Sequence, residues 1–464
     1  MYTKEVLSAE AWAEQQFGSV DLGDRRRQRR AVKLAASIAR HPAASLPDQT
    51  GRWAETKAGY RLLAQEAVTF EALSAAHWQA TREAARVRET VLMVQDTSCL
   101  DYSSHRSTPG LGAIGDGDGY GLMLHSTLAV DPRGPGEVLG LAYQMLFVRE
   151  PTPEQETRTQ RKERRRESQI WLQSVREVGA GGAPRRWVHV TDRYSDNFEF
   201  FETCRQTQVD FLVRVAQDRR AALGHGAAAP TGLLMQLARQ LPGGGESVLT
   251  LRKRPTRKPR EARLQVSWSP ITLFAPWLTK DATAPLSGWV VRVWEADPPA
   301  DEEPIEWVLV TSVPVEDVST ALTVAHWYSL RWLVEEYHKC LKTGCSAEER
   351  QLEEVERLRA CLALLAVTAV RLLQLKLWAR DEPQRPAYQC APASHVAVLA
   401  AYRGRSTEAW TAREFWREVA KLGGFLGRKH DGDPGWQTIW RGWQKLDLMT
   451  LGASLVQSKE VNCG

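Results

Sequence analysis

Four residues that could bind a phosphate and a metal ion recur at helical spacing in the segment WYSLRWLVEEYHKCLKT. They are Tyr328, Arg331, Glu335 and Lys342, and successive members are three, four and seven positions apart. At about 3.6 residues per turn, these steps place all four side chains on one face of a helix, with His338 between the last two. The carboxylate suits Mg²⁺, and the other three groups suit phosphate oxygens. A solvated, charged helix face is the competing interpretation.

Two aspartates follow apolar segments that are typical of β-strands: Asp96 in TVLMVQDTS and Asp192 in RWVHVTDRYSD. A carboxylate at the C-terminal end of a strand lies at the sheet edge where active sites gather, although a turn residue or a helix N-cap would be placed in the same way. With Glu335, these residues could hold two divalent cations about 4 Å apart and cleave a phosphodiester. Oxygen ligands without a Cys or His cluster favour Mg²⁺, with Mn²⁺ able to substitute. We therefore predict Asp96, Asp192 and Glu335 as the catalytic, metal-binding residues.

The order of strand-like and helical segments around these acids predicts an α/β fold with a ribonuclease H-like mixed sheet. Three strand-like segments begin near residue 90, and a charged helix, a strand, a second helix and another strand follow. The separation of 143 positions between Asp192 and Glu335 is too long for one crossover in a bare sheet domain. A mostly β insertion at about 217–320 is therefore expected.

The length of 464 residues predicts more than one domain. We expect a helical N-terminal DNA-binding domain at 1–70 and a catalytic domain at 71–372 that contains the β-rich insertion. A helical C-terminal domain should occupy 373–464.

Two basic segments are candidates for DNA contact. Residues 25–30 hold five arginines, of which Arg26, Arg27 and Arg30 are predicted to bind DNA. A second stretch, 252–263, holds seven basic residues and two prolines, and includes Arg254 and Lys258. Solvated surface is the competing interpretation for both segments.

Composition narrows the class of protein. The 61 Lys+Arg against 56 Asp+Glu give a net charge of only +5, so binding to a polyanion must rest on local patches. Seven scattered cysteines without a C-x-x-C pair argue against a zinc site or a disulfide framework. The N-terminus lacks an apolar signal core, and the apolar stretch 361–378 contains Arg371 and Lys376, which predicts a buried helix and no membrane partner. No G-x-x-x-x-G-K-[ST] loop indicates a nucleotide cofactor, and a cytoplasmic location is expected.

The motifs together resemble the bacterial DDE transposases of the cut-and-paste, hairpin-forming kind, of the insertion-sequence-four type. The specific signal is the complete Y-R-E-K signature of the first segment. The similarity extends over nearly the whole chain, through LGDRRRQRR, AGYRLLAQ, QDTSCLDY, TDRYSDNFEF, FLVRV, PIEWVLVT, RWLVEEYHKCLKTG, VRLLQLK and KLGGFLGRK. One departure lies between Asp192 and Asp196, where Arg-Tyr-Ser stands in place of the Arg-Glu-Ala more often found in relatives.

The resemblance implies roles for further residues. The three acids match the metal-holding triad of the family, and Arg214 joins Tyr328, Arg331 and Lys342 in handling phosphate at the cleaved DNA end. Trp307 matches the aromatic residue on which a flipped base stacks, with Trp332 near the same pocket. A core role is the alternative for Trp307, because it lies inside an apolar strand.

The resemblance also implies a function. The protein would form a homodimer through its C-terminal helices and bind the inverted-repeat ends of a transposon. It would be associated with the bacterial nucleoid. It would nick the DNA, form and open a hairpin, and join the ends to target DNA. A metal-dependent nuclease of the same fold and a catalytically silent DNA-binding derivative are the alternatives.

Overall fold

The computed structural model describes residues 7–105, 108–115, 117–149, 157, 166–251, 260–276, 284–300, 302–428 and 431–460. Its N-terminal part is helical, as predicted. The helices are α1 (Ala9–Phe17), α2 (Arg25–Arg40), α3 (Leu46–Thr50), α4 (Trp53–Leu63) and α5 (Phe70–Arg86). Polar residues begin them: the Ser8, Asp24 and Thr69 side chains accept backbone N–H groups of the first turns of α1, α2 and α5. The apolar face of α2 is buried while its N-terminal arginines face outward.

The central part of the chain forms a mixed sheet. Its first elements are β1 (Thr90–Asp101), β2 (Gly112–Ile114), β3 (Gly119–Asp131), β4 (Glu137–Phe147), α6 (Gln169–Val178), β5 (Arg186–Thr191), α7 (Phe198–Thr207) and β6 (Asp210–Arg214). The strands lie in the order β4-β3-β1-β5-β6. The first three are antiparallel, while β5 and β6 run parallel to β1. Three antiparallel strands followed by two parallel ones is the ribonuclease H arrangement, which confirms the predicted fold class.

The segment predicted as an insertion extends this same sheet. It contains β7 (Arg220–Leu223), β8 (Gly232–Leu233), α8 (Leu234–Gln240), β9 (Gly245–Leu251), β10 (Arg260–Leu273), β11 (Leu286–Glu295) and β12 (Glu306–Thr311). The order continues from β6 as β12-β11-β10-β7-β8. Because β12 pairs antiparallel with β6, the end of the segment lies beside the ribonuclease H-like strands.

The C-terminal part is helical. Its helices are α9 (Val318–Ser329), α10 (Trp332–Lys339), α11 (Val355–Asp381), α12 (Ala393–Arg403), α13 (Ala412–Leu422) and α14 (Trp436–Glu460). The single helix expected at 327–343 is interrupted twice. A tight turn joins α9 to α10, where the Leu333 amide bonds to the Leu330 carbonyl at 3.0 Å, and a π turn, Cys340–Gly344, follows α10. Lys342 therefore lies in the π turn and not in a regular α-helix.

Helix α11 passes through the centre of the molecule. In the part of the chain that the structure describes, it is the one helix long and apolar enough to cross a membrane, and 89% of its apolar window is buried inside the protein. The prediction of a buried helix is confirmed. Residues from the N-terminal helices, the sheet and the C-terminal helices share one apolar core. The expected domain boundary at residue 372 therefore falls inside a helix that contacts all three regions.

Candidate active site

Asp96 lies in β1 at the point where the parallel pairing with β5 ends. The last paired residues of the two strands are Val94 and Val190, two positions earlier in each strand than the predicted acids. Strand β1 does not end at Asp96 as expected, because β3 continues to pair with it as far as Asp101. The Asp96 carboxylate is therefore held on a rigid strand, with its side chain 20% exposed.

Asp192 is the first residue after β5. Its carboxylate accepts the backbone N–H of Tyr194 at 3.0 Å and so caps the short 3₁₀ turn at 193–195. This position is compatible with both roles expected for Asp192 from the sequence, an N-cap residue and a residue of the active site. Since β1 and β5 are parallel neighbours, Asp96 and Asp192 occupy adjacent positions at one edge of the sheet.

Glu335 reaches the same place from the first turn of α10. Its carboxylate accepts a close hydrogen bond from Arg331, one helical turn earlier. Arg331 Nη1 lies 4.0 Å from Asp96 Oδ2. One guanidinium therefore contacts two of the three acids, and it ties α10 to β1.

The pKa values of the acids reflect this grouping. Burial raises the pKa of Asp96 from 3.8 to about 7, and the charges of Asp192 and Glu335 add to the rise while Arg331 opposes it. Burial also raises the pKa of Asp192, with a further contribution from Glu335, against the Tyr194 N–H and Arg331. Each acid therefore lies within the electrostatic field of the others.

The three acids fit a divalent cation by their chemistry. They offer only oxygen ligands, and a bound cation would offset both the burial and the neighbouring negative charge that raise the pKa values of Asp96 and Asp192. Among the residues that the structure describes, no three acidic, His or Cys side chains already converge closely enough to hold a metal. Glu335 is instead turned toward Arg331, whose positive charge lies next to Asp96 as well.

A second group of predicted residues lies beside the acids. Tyr328 is 6% exposed, and its ring packs edge-to-face with the Trp307 ring, with the ring centroids 5.3 Å apart. Burial raises the pKa of Tyr328, while the charges of Arg331 and Arg214 oppose the rise. Arg214 Nη2 donates to the Glu306 carbonyl at 3.0 Å. Strands β6 and β12 thus bring Arg214 and Trp307 to the phenol, and Trp307 is half-buried, so that it also contributes to the core.

Lys342 and Trp332 have other neighbours. Lys342 Nζ pairs with Glu348 at 3.2 Å and is 30% exposed. The Trp332 ring lies under the Arg380 guanidinium of α11 at 5.2 Å, whereas the ring partner of Trp307 is Tyr328. The described contacts of Lys342 and Trp332 are therefore with residues other than the three acids.

The predicted basic segments differ in how far they are free to bind DNA. Arg26 is exposed, but Arg27 donates to the Leu22 carbonyl at 3.1 Å and Arg30 makes a close ion pair with Glu55. Arg254 and Lys258 lie outside the described residues.

His338 is a neighbour of the site to which the sequence assigned no role. Its Nδ1 lies 3.9 Å from Asp96 Oδ2, and its Nε2 lies 3.2 Å from the Ser126 hydroxyl. Burial lowers the pKa of His338 to about 3, so the ring is neutral. The three-residue step from Glu335 to His338 could have indicated that His338 lies beside the acids, since such a step places both side chains on one side of a helix.

The raised pKa of Asp96 predicts a pH-dependent stability. A carboxyl whose folded-state pKa is about 7, against 3.8 ordinarily, contributes stability that is fully present below the lower value and is lost as pH rises through 7. In metal-free buffer, we expect the free energy of unfolding to fall by roughly 2 kcal/mol more between pH 5 and pH 8 in the wild type than in Asp96→Asn. Urea unfolding at both pH values measures the difference. Equal changes in the two proteins would contradict the assignment.

Comparisons with known protein families gave three matches. Three family models match successive parts of the chain: Transposase DNA-binding over 9–68, Transposase DDE domain over 159–371, and Transposase Tn5 dimerisation domain over 405–462. The DDE match contains Asp192 and Glu335, and Asp96 precedes it.

Among solved structures, the chain is similar to one described as the cryo-EM structure of a piggyBac transposase synaptic complex with hairpin DNA. The sequence identity is 10% and the TM-score is 0.31. The match covers 77% of this chain, which spans only 57% of that chain. With a DNA-binding, a DDE and a Tn5-type dimerisation match in succession along its length, the chain belongs to the DDE transposases of the Tn5 type.

Proposed function

We propose that the protein binds the inverted-repeat ends of a mobile element, cleaves the DNA there and joins the ends to target DNA. One observation carries the proposal. Asp96, Asp192 and Glu335 are far apart in sequence, yet they lie in one another's electrostatic field around Arg331. Three neighbouring carboxylates with an adjacent guanidinium suit metal-assisted phosphoryl transfer once the carboxylates turn toward a bound ion.

The cofactor in this proposal is Mg²⁺, for which Mn²⁺ can substitute, and two ions bind. Bound ions would supply activation of the attacking water or 3′-hydroxyl and stabilisation of the leaving oxygen. The chain's own side chains do the remaining work. Asp96, Asp192 and Glu335 serve as ligands, and the Arg331 guanidinium moves from Glu335 to a phosphate oxygen. Arg214 and the Tyr328 phenol orient the same phosphate, with Lys342 released from Glu348 as a further phosphate ligand.

The reaction in this proposal passes through a hairpin. A nick frees a 3′-hydroxyl, this hydroxyl attacks the opposite strand, water opens the resulting hairpin, and the freed 3′ end attacks target DNA. A hairpin requires a sharp bend, which is easier when one base leaves the stack. Trp307, whose ring packs on that of Tyr328, is suited to receive that base, and Trp332 supports the same DNA end.

A substitution at Trp307 separates hairpin formation from the first nick. We expect Trp307→Ala to slow hairpin formation by about 10- to 100-fold, the loss of one base-stacking contact, with the nicking rate within about threefold of wild type. Trp307→Phe should retain most of the hairpin rate. Single-turnover assays on intact and pre-nicked duplexes measure the two steps. Trp289→Ala, in the neighbouring strand β11, is the matched control for loss of a half-buried tryptophan. Equal slowing of both steps by Trp307→Ala would favour a core role.

The remaining regions have supporting roles in the proposal. Residues 1–70, with Arg26, Arg27 and Arg30, and the β-rich segment 217–320, with Arg254 and Lys258, recognise the DNA ends. Residues 71–372 form the catalytic domain, and 373–464 dimerise, so that catalysis awaits the pairing of two ends by a homodimer. The matches to DNA-binding and dimerisation families support this division.

One experiment tests the function against its alternatives. The protein is incubated with Mg²⁺ and a duplex carrying the inverted repeats that flank its gene, and the products are resolved on denaturing gels. Hairpin-ended excision products support the proposal. Open nicks alone would favour a metal-dependent nuclease, and tight binding without cleavage would favour a catalytically silent DNA-binding derivative.

A further inference from the structure

The residue two positions after Asp192 is an exposed tyrosine. Tyr194 is 78% exposed, although two residues of chain span at most about 7 Å and so keep it close to the acidic site. Its hydroxyl has no hydrogen bond within the described part of the chain, and Arg193 beside it is also exposed. An aromatic ring that stands in solvent next to a basic side chain is a surface on which an unstacked base can lie.

The backbone that carries Tyr194 is held firmly on both sides. Its N–H is bound by the Asp192 carboxylate at 3.0 Å. The Ser195 hydroxyl donates to the Asp192 carbonyl at 3.2 Å, and the Asp196 carboxylate accepts the N–H groups of Ala216 and Gln217 at 2.6 and 2.8 Å. A ring on such a turn loses little conformational entropy when a ligand stacks on it.

The ring is also supported from one side. The indole of Trp171, on α6, lies 6.4 Å from the Tyr194 ring at an interplanar angle of 21°. Trp171 is buried against His125 of β3, on the face of the sheet that carries α6 and α7. Tyr328, and Trp307 packed against it, belong to the apolar core on the opposite face of the sheet. The acids therefore lie between two aromatic groups, one on each side of the sheet edge.

We propose that Tyr194 stacks on a nucleobase within one nucleotide of the scissile phosphate, on the α6 side of the acidic site, with Arg193 on the adjoining phosphate. The inference rests on the proposed DNA cleavage function and adds a second base-binding surface to it. The base belongs either to the terminal repeat or to the DNA flanking it, and the position of the contact distinguishes these two sources.

Photochemical cross-linking tests the contact directly. End duplexes that each carry one 5-iododeoxyuridine, at positions within three nucleotides on either side of the cleavage point, are bound in Ca²⁺ and irradiated, and the adducts are mapped by mass spectrometry. We expect an adduct on Tyr194 from one of these positions. Tyr194→Phe should keep the adduct, and Tyr194→Ala should lose it and bind the duplex about 5- to 50-fold more weakly.

Tyr402→Ala is the matched control, because Tyr402 is also exposed and also has an arginine, Arg403, next to it in the sequence. It should leave both readouts unchanged. Absence of a Tyr194 adduct at every position, or duplex binding by Tyr194→Ala within twofold of wild type, would overturn the inference. The adduct needs no cleavage, so a wild-type protein that binds and cross-links but does not cleave would count against the proposed function alone.

Discussion

Replacing Asp96 by asparagine should lower the rate of end cleavage by about 10³-fold or more while leaving the affinity for end DNA within about twofold. Asparagine keeps the size and shape of the side chain on β1 but loses the negative charge that a divalent ion requires. The contribution of such an ion to stabilising the transition state is several kcal/mol, which corresponds to a rate change of this size. Most of the DNA affinity comes from phosphate contacts elsewhere, so binding should survive.

Single-turnover cleavage in Mg²⁺ and a gel-shift titration in Ca²⁺ measure the two quantities. Asp131→Asn is the matched control, because Asp131 is a buried aspartate of the same sheet whose carboxylate pairs with Arg133 and Arg88. It should lower stability without changing the cleavage rate of the folded protein. Cleavage by Asp96→Asn at the wild-type rate would remove Asp96 from the catalytic residues.

Replacing Arg331 by alanine should slow cleavage by roughly 10²-fold, the loss of one guanidinium from a site where negative charge develops. Arg331 opposes the rise in the pKa of both Asp96 and Asp192, so its removal should raise both pKa values further. The pH at which cleavage reaches half of its maximal rate should therefore increase.

Arg331→Lys separates charge from shape. It restores a positive charge near Asp96 but lacks the planar fork that lets Arg331 meet two acids, so we expect partial recovery of the rate and of the pH profile. Rate–pH profiles of the three proteins provide the comparison. An unchanged profile in Arg331→Ala would show that the guanidinium does not act on the acids in the working enzyme.

Much of the catalytic arrangement could be predicted because it depends on local patterns. Strand-like segments that end near Asp96 and Asp192 indicate the parallel neighbours β1 and β5, and the three- and four-residue steps indicate the helical position of Arg331 and Glu335. The π turn at Cys340–Gly344, which contains Lys342, could not be predicted from the helical spacing. Gly344 lies against Trp440 and Leu372, where an added Cβ would approach their side chains to 3.2–3.3 Å. These contacts come from distant helices, and local sequence does not encode them.

The sharing of one core by all three regions was equally beyond local reasoning. Length predicts more than one domain, and α11 packs on the N-terminal helices, on β4 and on α13 at the same time. The sequence predicted the β-rich segment but not its pairing with β6. That pairing, seen only in the sheet order, brings Trp307 to Tyr328. Long-range strand pairing and helix packing decide these features.

Iron-directed cleavage of the polypeptide tests the central claim most directly. Fe²⁺ replaces Mg²⁺ in the protein, ascorbate and peroxide generate hydroxyl radicals at the bound ion, and the cut sites in the chain are mapped. We predict cuts near Asp96, Asp192 and Glu335 together, suppressed by excess Mg²⁺ and absent in Asp96→Asn. Cuts confined to other segments, or cuts that persist unchanged in Asp96→Asn, would contradict the assignment of these three acids to one metal site.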